Sequence, residues 1–146
     1  LGYSSVIQKG NVALATNGAT VEGVARGGSC LLDGDSTNYD TAIGFADSPW
    51  PCEWIIRLKK TYRLSELRFR LWDKDPRFYR YAVAVSADGK KYVPLVERSQ
   101  GEWRGWQQIQ FSPRPVKAIK LIGLYNSANE NFHVVEFEAY CIPTKH

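Results

Sequence analysis

Hydrophobic and polar residues alternate in short runs along most of the chain, and each run is bounded by Gly, Pro, Asn, Asp or Ser. In the clearest run, Leu67, Phe69 and Leu71 fall on one face while Arg68 and Arg70 fall on the other. A two-residue period is typical of β-strands, and no segment shows a sustained apolar stripe of helical period. The pattern therefore predicts an antiparallel β-sandwich or barrel. The predicted strands are 54–58, 67–72, 79–86, 92–96, 106–111, 116–123 and 133–140.

Turn residues between these runs predict how the strands connect. The segment 87–90, Ala-Asp-Gly-Lys, predicts a hairpin between strands 79–86 and 92–96. The segment 112–115, Ser-Pro-Arg-Pro, separates two predicted strands and is expected to bend the chain without ladder pairing, because proline cannot donate to a β-ladder. In the last run, one face carries Val135, Phe137 and Ala139, and the other carries Val134, Glu136, Glu138 and Tyr140.

The length of 146 residues predicts one module with its core over about 11–140. Methionine is absent, even at position 1, so we expect the module to come from a larger protein. No run approaches the roughly 18 apolar residues of a membrane span. We therefore expect a monomeric module without a transmembrane segment.

Cys30, Cys52 and Cys141 are an odd set without a C-x-x-C spacing, which argues against a zinc site. A Cys30–Cys52 disulfide and three buried thiols both remain open at this stage, and so does the redox compartment.

The net charge is +4, and the 19 basic residues are interleaved with 15 acidic ones. This spacing shows no phosphate-binding stripe, so nucleic-acid binding is not expected. The mild basicity fits a solvated surface or an acidic partner such as a uronate polymer.

Three separated segments carry a family resemblance. They are 31–40 (LLDGDSTNYD), 71–77 (LWDKDPR) leading into 81–90 (YAVAVSADGK), and 126–140 (NSANENFHVVEFEAY). In this order they resemble the discoidin family, also called coagulation factor 5/8 type C, over about 11–140. Within that family the residues of these segments are similar to those of family 32 carbohydrate-binding modules and of discoidin-like repeats of BTB/POZ-containing proteins.

The resemblance implies a galactose-binding-like jelly-roll β-sandwich of about eight main strands, with a ligand site on the loops at one end. Relatives in the family bind sugars, phospholipid surfaces or proteins, so the fold alone does not fix the ligand. We expect a carbohydrate-binding module that recognises a glycan, in a secreted or extracellular protein. The alternative is a protein–protein interaction module of an intracellular adaptor.

The resemblance also implies a structural calcium ion near the segment 31–38. Its ligands would come from Leu31, Asp33, Asp35, Thr37, Asn38 and Glu136. Calcium takes six to eight oxygen ligands, which carboxylates and backbone carbonyls of a turn can supply. The alternative is an ordinary Asx turn, in which Asp33 and Asp35 accept hydrogen bonds from backbone N–H groups.

Candidate ligand contacts are loop aromatics that stack on sugar rings and polar groups that match hydroxyls. They are Trp50, Arg77, Tyr79, Trp103, Asn126, Asn129 and Phe132. Trp50 lies between two prolines and fits either a ligand platform or a lid on the core, while Arg77 fits a ligand contact or an ion pair with Asp73 or Asp75. Trp54, Trp72 and Trp106 are interpreted as core or sandwich-end packing, and His133 as a structural residue.

The sequence offers no nucleophile with a positioned base, no histidine cluster for a metal and no Gly-rich phosphate loop. We therefore expect a module without catalytic activity, which could serve as an accessory module of a carbohydrate-active enzyme.

Overall fold

Antiparallel strands dominate the computed structural model, which describes residues 10–37 and 44–141. A short 3-10 turn at Ala15–Asn17 and the helix α1, Gly28–Leu31, are the helical elements of these ranges, and no helix there could span a membrane. The strands are β1 Thr20–Glu22, β2 Ala46–Pro49, β3 Cys52–Leu71, β4 Tyr79–Ser86, β5 Val93–Trp103, β6 Trp106–Asn126 and β7 Asn131–Cys141. The all-β antiparallel prediction is confirmed.

Hydrogen bonding follows the order β2-β7-β3-β6-β4-β5, with β1 added to β3. The long strands β3 and β6 connect the two layers of the sandwich. The first half of β3 pairs with the second half of β6, from Cys52↔Gly123 to Arg57↔Ala118. The second half of β3 pairs with β7 and with the first half of β6. Both strands therefore run from one end of the sandwich to the other and return.

This path defines two ends. The loop end carries the connections 49–52, 72–78, 103–106 and 126–131, because β4, β6 and β7 all begin or end there. The far end carries the bends 58–63 and 111–117 and the β4–β5 turn 87–92. The predicted hairpin at 87–90 is confirmed, since Val85 pairs with Val93.

The predicted bend at 112–115 is present, but the predicted absence of ladder pairing there is wrong. Strand β6 continues through it, with Arg63↔Pro115 and Leu64↔Arg114 in register, and the register shifts before Glu66↔Gln110. A bulge leaves residues out of the ladder, so the prolines are accommodated without ending the strand. Because such bends merge two pairs of predicted runs, the described residues form seven strands, in keeping with the sandwich of about eight that was predicted.

The core consists of inward positions from both layers. Leu67, Phe69 and Leu71 are fully buried, as the alternation predicts. Phe69 stacks on Phe137 with 5.5 Å between ring centroids. In β7 the predicted face is partly wrong, because the register shift between Arg70↔Glu136 and Leu71↔Val134 makes Val135 a bulge. Val134, rather than Val135, joins Phe137 and Ala139 in the core cluster.

The tryptophans divide between the interior and the surface. Trp54 is fully buried, as predicted. Trp106 is 38% exposed, so of its two predicted roles, core or sandwich-end packing, core packing is wrong. The cause is strand parity, since the neighbouring Gln107 takes the inward position. The guanidinium groups of Arg68 and Arg70 lie 5.3 Å and 6.0 Å from the Trp106 ring centroid.

Candidate functional site

At the loop end, Arg77 is held by its own loop. Its Nε and Nη2 atoms donate to Asp75 Oδ1 and Oδ2 at 2.8 Å and 2.7 Å, and its guanidinium lies 4.3 Å from the centroid of the Trp72 ring. The side chain of Arg77 is only 13% exposed. These hydrogen bonds lower the pKa of Asp75 to about 2. Arg77 therefore forms the ion pair that the sequence left open, with Asp75 as its partner.

Arg104 locks this loop to the β5–β6 connection. Its Nε donates to the carbonyl of Arg77 at 2.9 Å, and its Nη2 donates to the carbonyl of Asp75. Asp73 has a different partner, Arg70, with 3.4 Å between Oδ1 and Nη2. The 72–78 loop is thus fixed by charge-assisted hydrogen bonds before any ligand arrives.

Trp50 lies half-buried over the β6–β7 loop. Its indole Nε1 donates to the carbonyl of Asn129 at 2.8 Å, and its backbone N donates to Glu130 at 2.9 Å. Its ring is 5.4 Å from that of Tyr125. The geometry combines the two sequence interpretations, because one part of the ring packs on the core and another reaches the surface.

Three predicted contacts lie inside the protein. Tyr79 and Phe132 are fully buried and Asn126 nearly so, because they take inward positions where β4, β7 and β6 meet. Phe132 packs edge-on against Trp54 and Tyr79. Asn126 Nδ2 donates to Asn131 O at 2.6 Å. These three side chains expose almost no surface here, and their role as ligand contacts stays a prediction.

Trp103 and Asn129 remain accessible at the rim. The half-buried Trp103 carries the Arg98 guanidinium 4.3 Å from its ring centroid, and its Nε1 donates to Gln100 O at 2.6 Å. Asn129 is exposed, and its Oδ1 accepts from Asn131 N at 2.8 Å. Both side chains are therefore positioned by hydrogen bonds within their own loops.

The sequence analysis missed an aromatic row formed by Trp50, Tyr125 and Phe78. The ring of Tyr125 lies 5.4 Å from Trp50 and 5.8 Å from Phe78, and all three rings are half-buried. Arg80 places its guanidinium 5.0 Å from Tyr125 and 5.4 Å from Phe78, and its Nε donates to Gly101 O. The β4–β6 pairing Arg80↔Tyr125 creates the row, and no local sequence pattern reveals that pairing.

His133 lies nearly buried behind these loops. Its ring packs edge-on against Phe45 at 5.0 Å, and its Nδ1 lies 3.5 Å from both Tyr79 Oη and Asn126 Nδ2. Burial lowers the pKa of His133 to about 4, although Asp47 lies 3.6 Å from Nε2. The ring is therefore neutral at neutral pH and acts in packing, in line with its structural interpretation.

The Asp33 turn holds the second candidate site. Asp33 Oδ1 accepts from Asp35 N at 2.8 Å, and Asp35 Oδ1 accepts from both the backbone N and the hydroxyl of Thr37. The Asx turn is thus present. Leu31 is buried beneath it, and Asn38 lies outside the described residues.

Glu136 reaches this turn from β7. It is fully buried, its Oε2 accepts from Gly34 N at 3.0 Å, and its Oε1 accepts no hydrogen bond from a described residue. Burial, reinforced by the neighbouring Asp33 carboxylate, raises the pKa of Glu136 to about 9. Within 10–37 and 44–141, no group of three or more His, Cys, Asp or Glu side chains surrounds a metal position. A cation here would depend on two carboxylates, backbone carbonyls and the Thr37 hydroxyl.

Solved structures of other proteins share the fold of the chain. A family 32 carbohydrate-binding module from Clostridium perfringens, in complex with GalNAc-beta-1,3-galactose, superposes with a TM-score of 0.67 at 13% identity, covering 84% of this chain and 94% of that one. A chitosan-binding module from Paenibacillus sp. IK-5 gives a TM-score of 0.69 at 20% identity, covering 89% and 98%. The chain thus has the β-sandwich fold of these modules, and the predicted resemblance is confirmed.

Proteins found by sequence similarity are more similar to this chain than the solved structures are, and they are named BTB/POZ domain-containing protein 9. Human BTB/POZ domain-containing protein 9 is 34% identical over 140 residues, which cover 91% of this chain and 22% of the relative. Its Drosophila melanogaster counterpart is 38% identical over 140 residues, covering 87% and 19%. The chain therefore spans about a fifth of the length of these relatives. No family model matches the chain.

Proposed function

We propose that the chain is a non-catalytic recognition module whose loop end binds a protein partner. The observation that carries this proposal is the aromatic row Trp50–Tyr125–Phe78 with Arg80 stacked across it. Trp, Tyr and Arg are enriched in the energetically dominant positions of protein interfaces. Since the row is already packed and hydrogen-bonded, a partner that binds it need not first immobilise these side chains.

The groups that would match sugar hydroxyls are engaged within the protein. The Arg77 fork is occupied by Asp75, and the Asn126 amide is buried in its own loop. A sugar would have to displace these charge-assisted bonds, which are roughly twice as strong as neutral ones. This arrangement favours the protein-interaction alternative over the glycan interpretation.

The relatives and the cysteines support an intracellular setting. The relatives are named as BTB/POZ domain-containing proteins, a name that fits an intracellular adaptor. All three cysteines are thiols, and burial raises the pKa of the half-buried Cys52 to about 11, which makes it a poor nucleophile. Thiols that persist suit a reducing compartment.

Site-specific photo-cross-linking in cells tests the proposal. A benzophenone amino acid replaces Phe78 in the protein, and a matched replacement of Gln110 on the opposite sheet serves as control. We expect one discrete protein adduct from position 78, lost when Trp50→Ala or Arg80→Ala is added, and none from position 110. Identical adduct patterns from both positions would contradict a protein-binding loop end.

Glycan binding is the second candidate, favoured by the solved structures. Similar folds were solved with GalNAc-beta-1,3-galactose and with 4,5-unsaturated mannuronic acid. Trp103 and Asn129 at the rim would be the accessible contacts in this case. If a sugar is the ligand, GalNAc or a uronate oligosaccharide should protect the position-78 probe from cross-linking, and Trp103→Ala should abolish that protection.

We further propose that the Asp33 turn binds a structural calcium ion. Glu136 Oε1 supports this, because a fully buried carboxylate oxygen without a hydrogen-bond donor is costly unless a cation or a proton compensates it. Asp33 and Glu136 would provide the carboxylates, and Leu31 and Asp35 would provide carbonyl oxygens. Calcium would replace the proton that Glu136 otherwise retains and would fix the turn to β7.

Thermal unfolding with calcium or EDTA tests this site. A ligand present at 100 times its dissociation constant stabilises the native state by about 2.7 kcal/mol. We expect calcium to raise the Tm of the wild type and to leave Glu136→Gln unchanged, whereas Glu138→Gln on the same strand serves as control and keeps the response. An unchanged Tm of the wild type would leave the Asx turn with a protonated Glu136 as the complete description.

A further inference from the structure

Folding gathers cations that the sequence distributes along the chain. The far end is built from three segments, 57–63, 86–91 and 113–117, which contain eight Lys or Arg residues and one acid, Asp88. The register brings them together, because Ala118 pairs with both Arg57 and Ser86, and Val116 pairs with Tyr62. Arg57 also donates to Gly89 O at 3.3 Å. Basic and acidic residues therefore alternate along the sequence, but at this end of the folded protein the basic residues predominate.

Seven of these cations have no ionic partner among the described residues, and we call them the basic end. They are Lys59, Lys60, Arg63, Lys90, Lys91, Arg114 and Lys117. The eighth, Arg57, pairs with Glu22. Asp88 is occupied by its own turn, because its Oδ1 accepts from Lys90 N, Lys91 N and the Ser86 hydroxyl. The positive potential at this end is therefore not neutralised locally.

An apolar cleft opens within the basic end. It has a volume of about 310 Å³ and lies between the β4–β5 turn and the bulge of β6. Val85, Ala87 and Val93 line it, and Lys91, Arg114 and Asp88 complete its wall. Val93 is 41% exposed, so its side chain is accessible to a ligand. The cleft thus combines an apolar floor with cations at its rim.

We propose that the basic end docks an acidic protein segment that inserts one apolar side chain into this cleft. Carboxylates of the segment would lie against Lys91 and Arg114, and the apolar side chain would cover Val93. Complementary charge raises the rate of encounter, and burial of the apolar side chain fixes the position of the segment. This surface lies at the opposite end from the aromatic row, so both can be occupied at once.

The chemistry of the cleft favours a peptide over other polyanions. A uronate glycan or a duplex phosphate backbone would neutralise the cations but leave the apolar floor unfilled. Binding of single-stranded nucleic acid uses exposed aromatic platforms. At this end Tyr62 is fully buried, and Tyr92 lies half-buried with Lys120 4.5 Å from its ring centroid. Membrane binding needs apolar tips that protrude, whereas Val85 and Ala87 line a recess.

An NMR titration of the ¹⁵N-labelled full chain tests the proposal. The probe is a synthetic peptide of aspartates and glutamates around one central leucine, and the matched probe has serine in place of leucine. We expect shift changes at Val85, Ala87, Lys91 and Val93, and an affinity about tenfold higher for the leucine peptide, since burial of one apolar side chain is worth at least about 1.4 kcal/mol. Equal affinities for the two peptides would overturn the proposal that an apolar side chain inserts into the cleft.

Charge variants distinguish peptide binding in the cleft from non-specific electrostatic attraction to the basic end. Lys91→Glu/Arg114→Glu and Lys60→Glu/Lys117→Glu change the net charge equally, and only the first pair lines the cleft. We expect the first pair to reduce leucine-peptide affinity at least about tenfold more than the second. Equal losses would contradict a defined site. Tighter binding to phosphatidylserine-containing vesicles, polygalacturonate or duplex DNA than to the peptide would overturn the peptide assignment. The ¹⁵N spectrum of each variant verifies folding, and Lys91→Ala provides a milder substitution.

Discussion

The two ends of the sandwich treat their charged residues in opposite ways. At the loop end, Arg77 is paired with Asp75, Arg104 is bonded to carbonyls, and Arg80 and Arg98 stack on aromatic rings. At the basic end, seven cations have no ionic partner among the described residues. The same two long strands, β3 and β6, contribute to both ends, because they begin and end at the loop end and bend at the basic end.

This difference shows that the positions of charges in the sequence do not reveal which are available. Paired guanidiniums stiffen loops and present a preformed surface, which suits recognition by shape. Unpaired lysines on a polar surface attract anions over about 10 Å at moderate ionic strength and remain sensitive to salt. The loop end is therefore expected to depend on packing, and the basic end on charge.

The largest expected effect is a difference in stability between two substitutions at the loop end, one of a buried residue and one of an accessible residue. Phe132→Ala should reduce the free energy of unfolding by about 3–5 kcal/mol, because Phe132 fills the core between Trp54 and Tyr79. The half-buried Phe78→Ala should cost much less and instead weaken partner binding. Urea unfolding measures both. A stable Phe132→Ala protein that loses glycan binding would restore Phe132 as a ligand contact.

The pH dependence of stability reports the buried His133. Its pKa is about 4 in the folded protein and 6.5 ordinarily, so only the unfolded chain binds its proton between these values. The stabilising contribution is complete above pH 6.5 and is lost as the pH falls toward 4, with a slope of at most about 1.4 kcal/mol per pH unit. Urea unfolding of wild type and His133→Gln over this window should give a shallower slope for the variant. Parallel profiles would contradict a buried neutral ring.

Matched alanine substitutions compare the ends directly. Arg77→Ala should lower the free energy of unfolding by about 1–2 kcal/mol, because it removes two charge-assisted bonds and the contact with Trp72. Arg114→Ala should change it by less than about 0.5 kcal/mol. Chemical denaturation of both variants supplies the measurement. A larger loss for Arg114→Ala would reverse the comparison.

The smallest expected effect is the response to salt. Added NaCl screens repulsion among the seven cations, so Lys60→Glu/Lys117→Glu should stabilise the protein by about 0.5 kcal/mol at low salt and by less at high salt. Arg77→Ala should lose similar stability at both salt concentrations. Denaturation at two NaCl concentrations tests this pair, and a salt-independent gain for the lysine variant would argue against repulsion at the basic end.

Alternation alone was sufficient to predict the sheet and most of its inward faces. Leu67, Phe69 and Leu71 are buried as their period requires, and the turn at Asp88 follows from its residue types. Bulges were not predictable, because a bulge depends on pairing with the partner strand. It leaves no distinct mark on the two-residue hydrophobic period of the strand that contains it. Val135 and the 112–115 segment are the cases where this changed the assignment.

The candidate site was less predictable for a related reason. Tyr79 and Phe132 were chosen as aromatics near loops, and strand parity turned them inward. The pairing of Arg80 with Tyr125 joins residues 45 positions apart and forms the aromatic row, and the gathering of Lys91 and Arg114 is likewise set by register. Contacts of this kind depend on tertiary pairing, which residue types in one sequence do not encode locally.

A glycan array with and without EDTA tests the central contrast most directly. The wild-type chain is compared with Trp50→Ala and with Lys91→Glu/Arg114→Glu. We expect no retained neutral glycan, and any weak retention of acidic glycans should disappear in the lysine–arginine variant but persist in Trp50→Ala. Saturable glycan binding that is lost in Trp50→Ala and intact in Lys91→Glu/Arg114→Glu would contradict the account and make the loop end a sugar site.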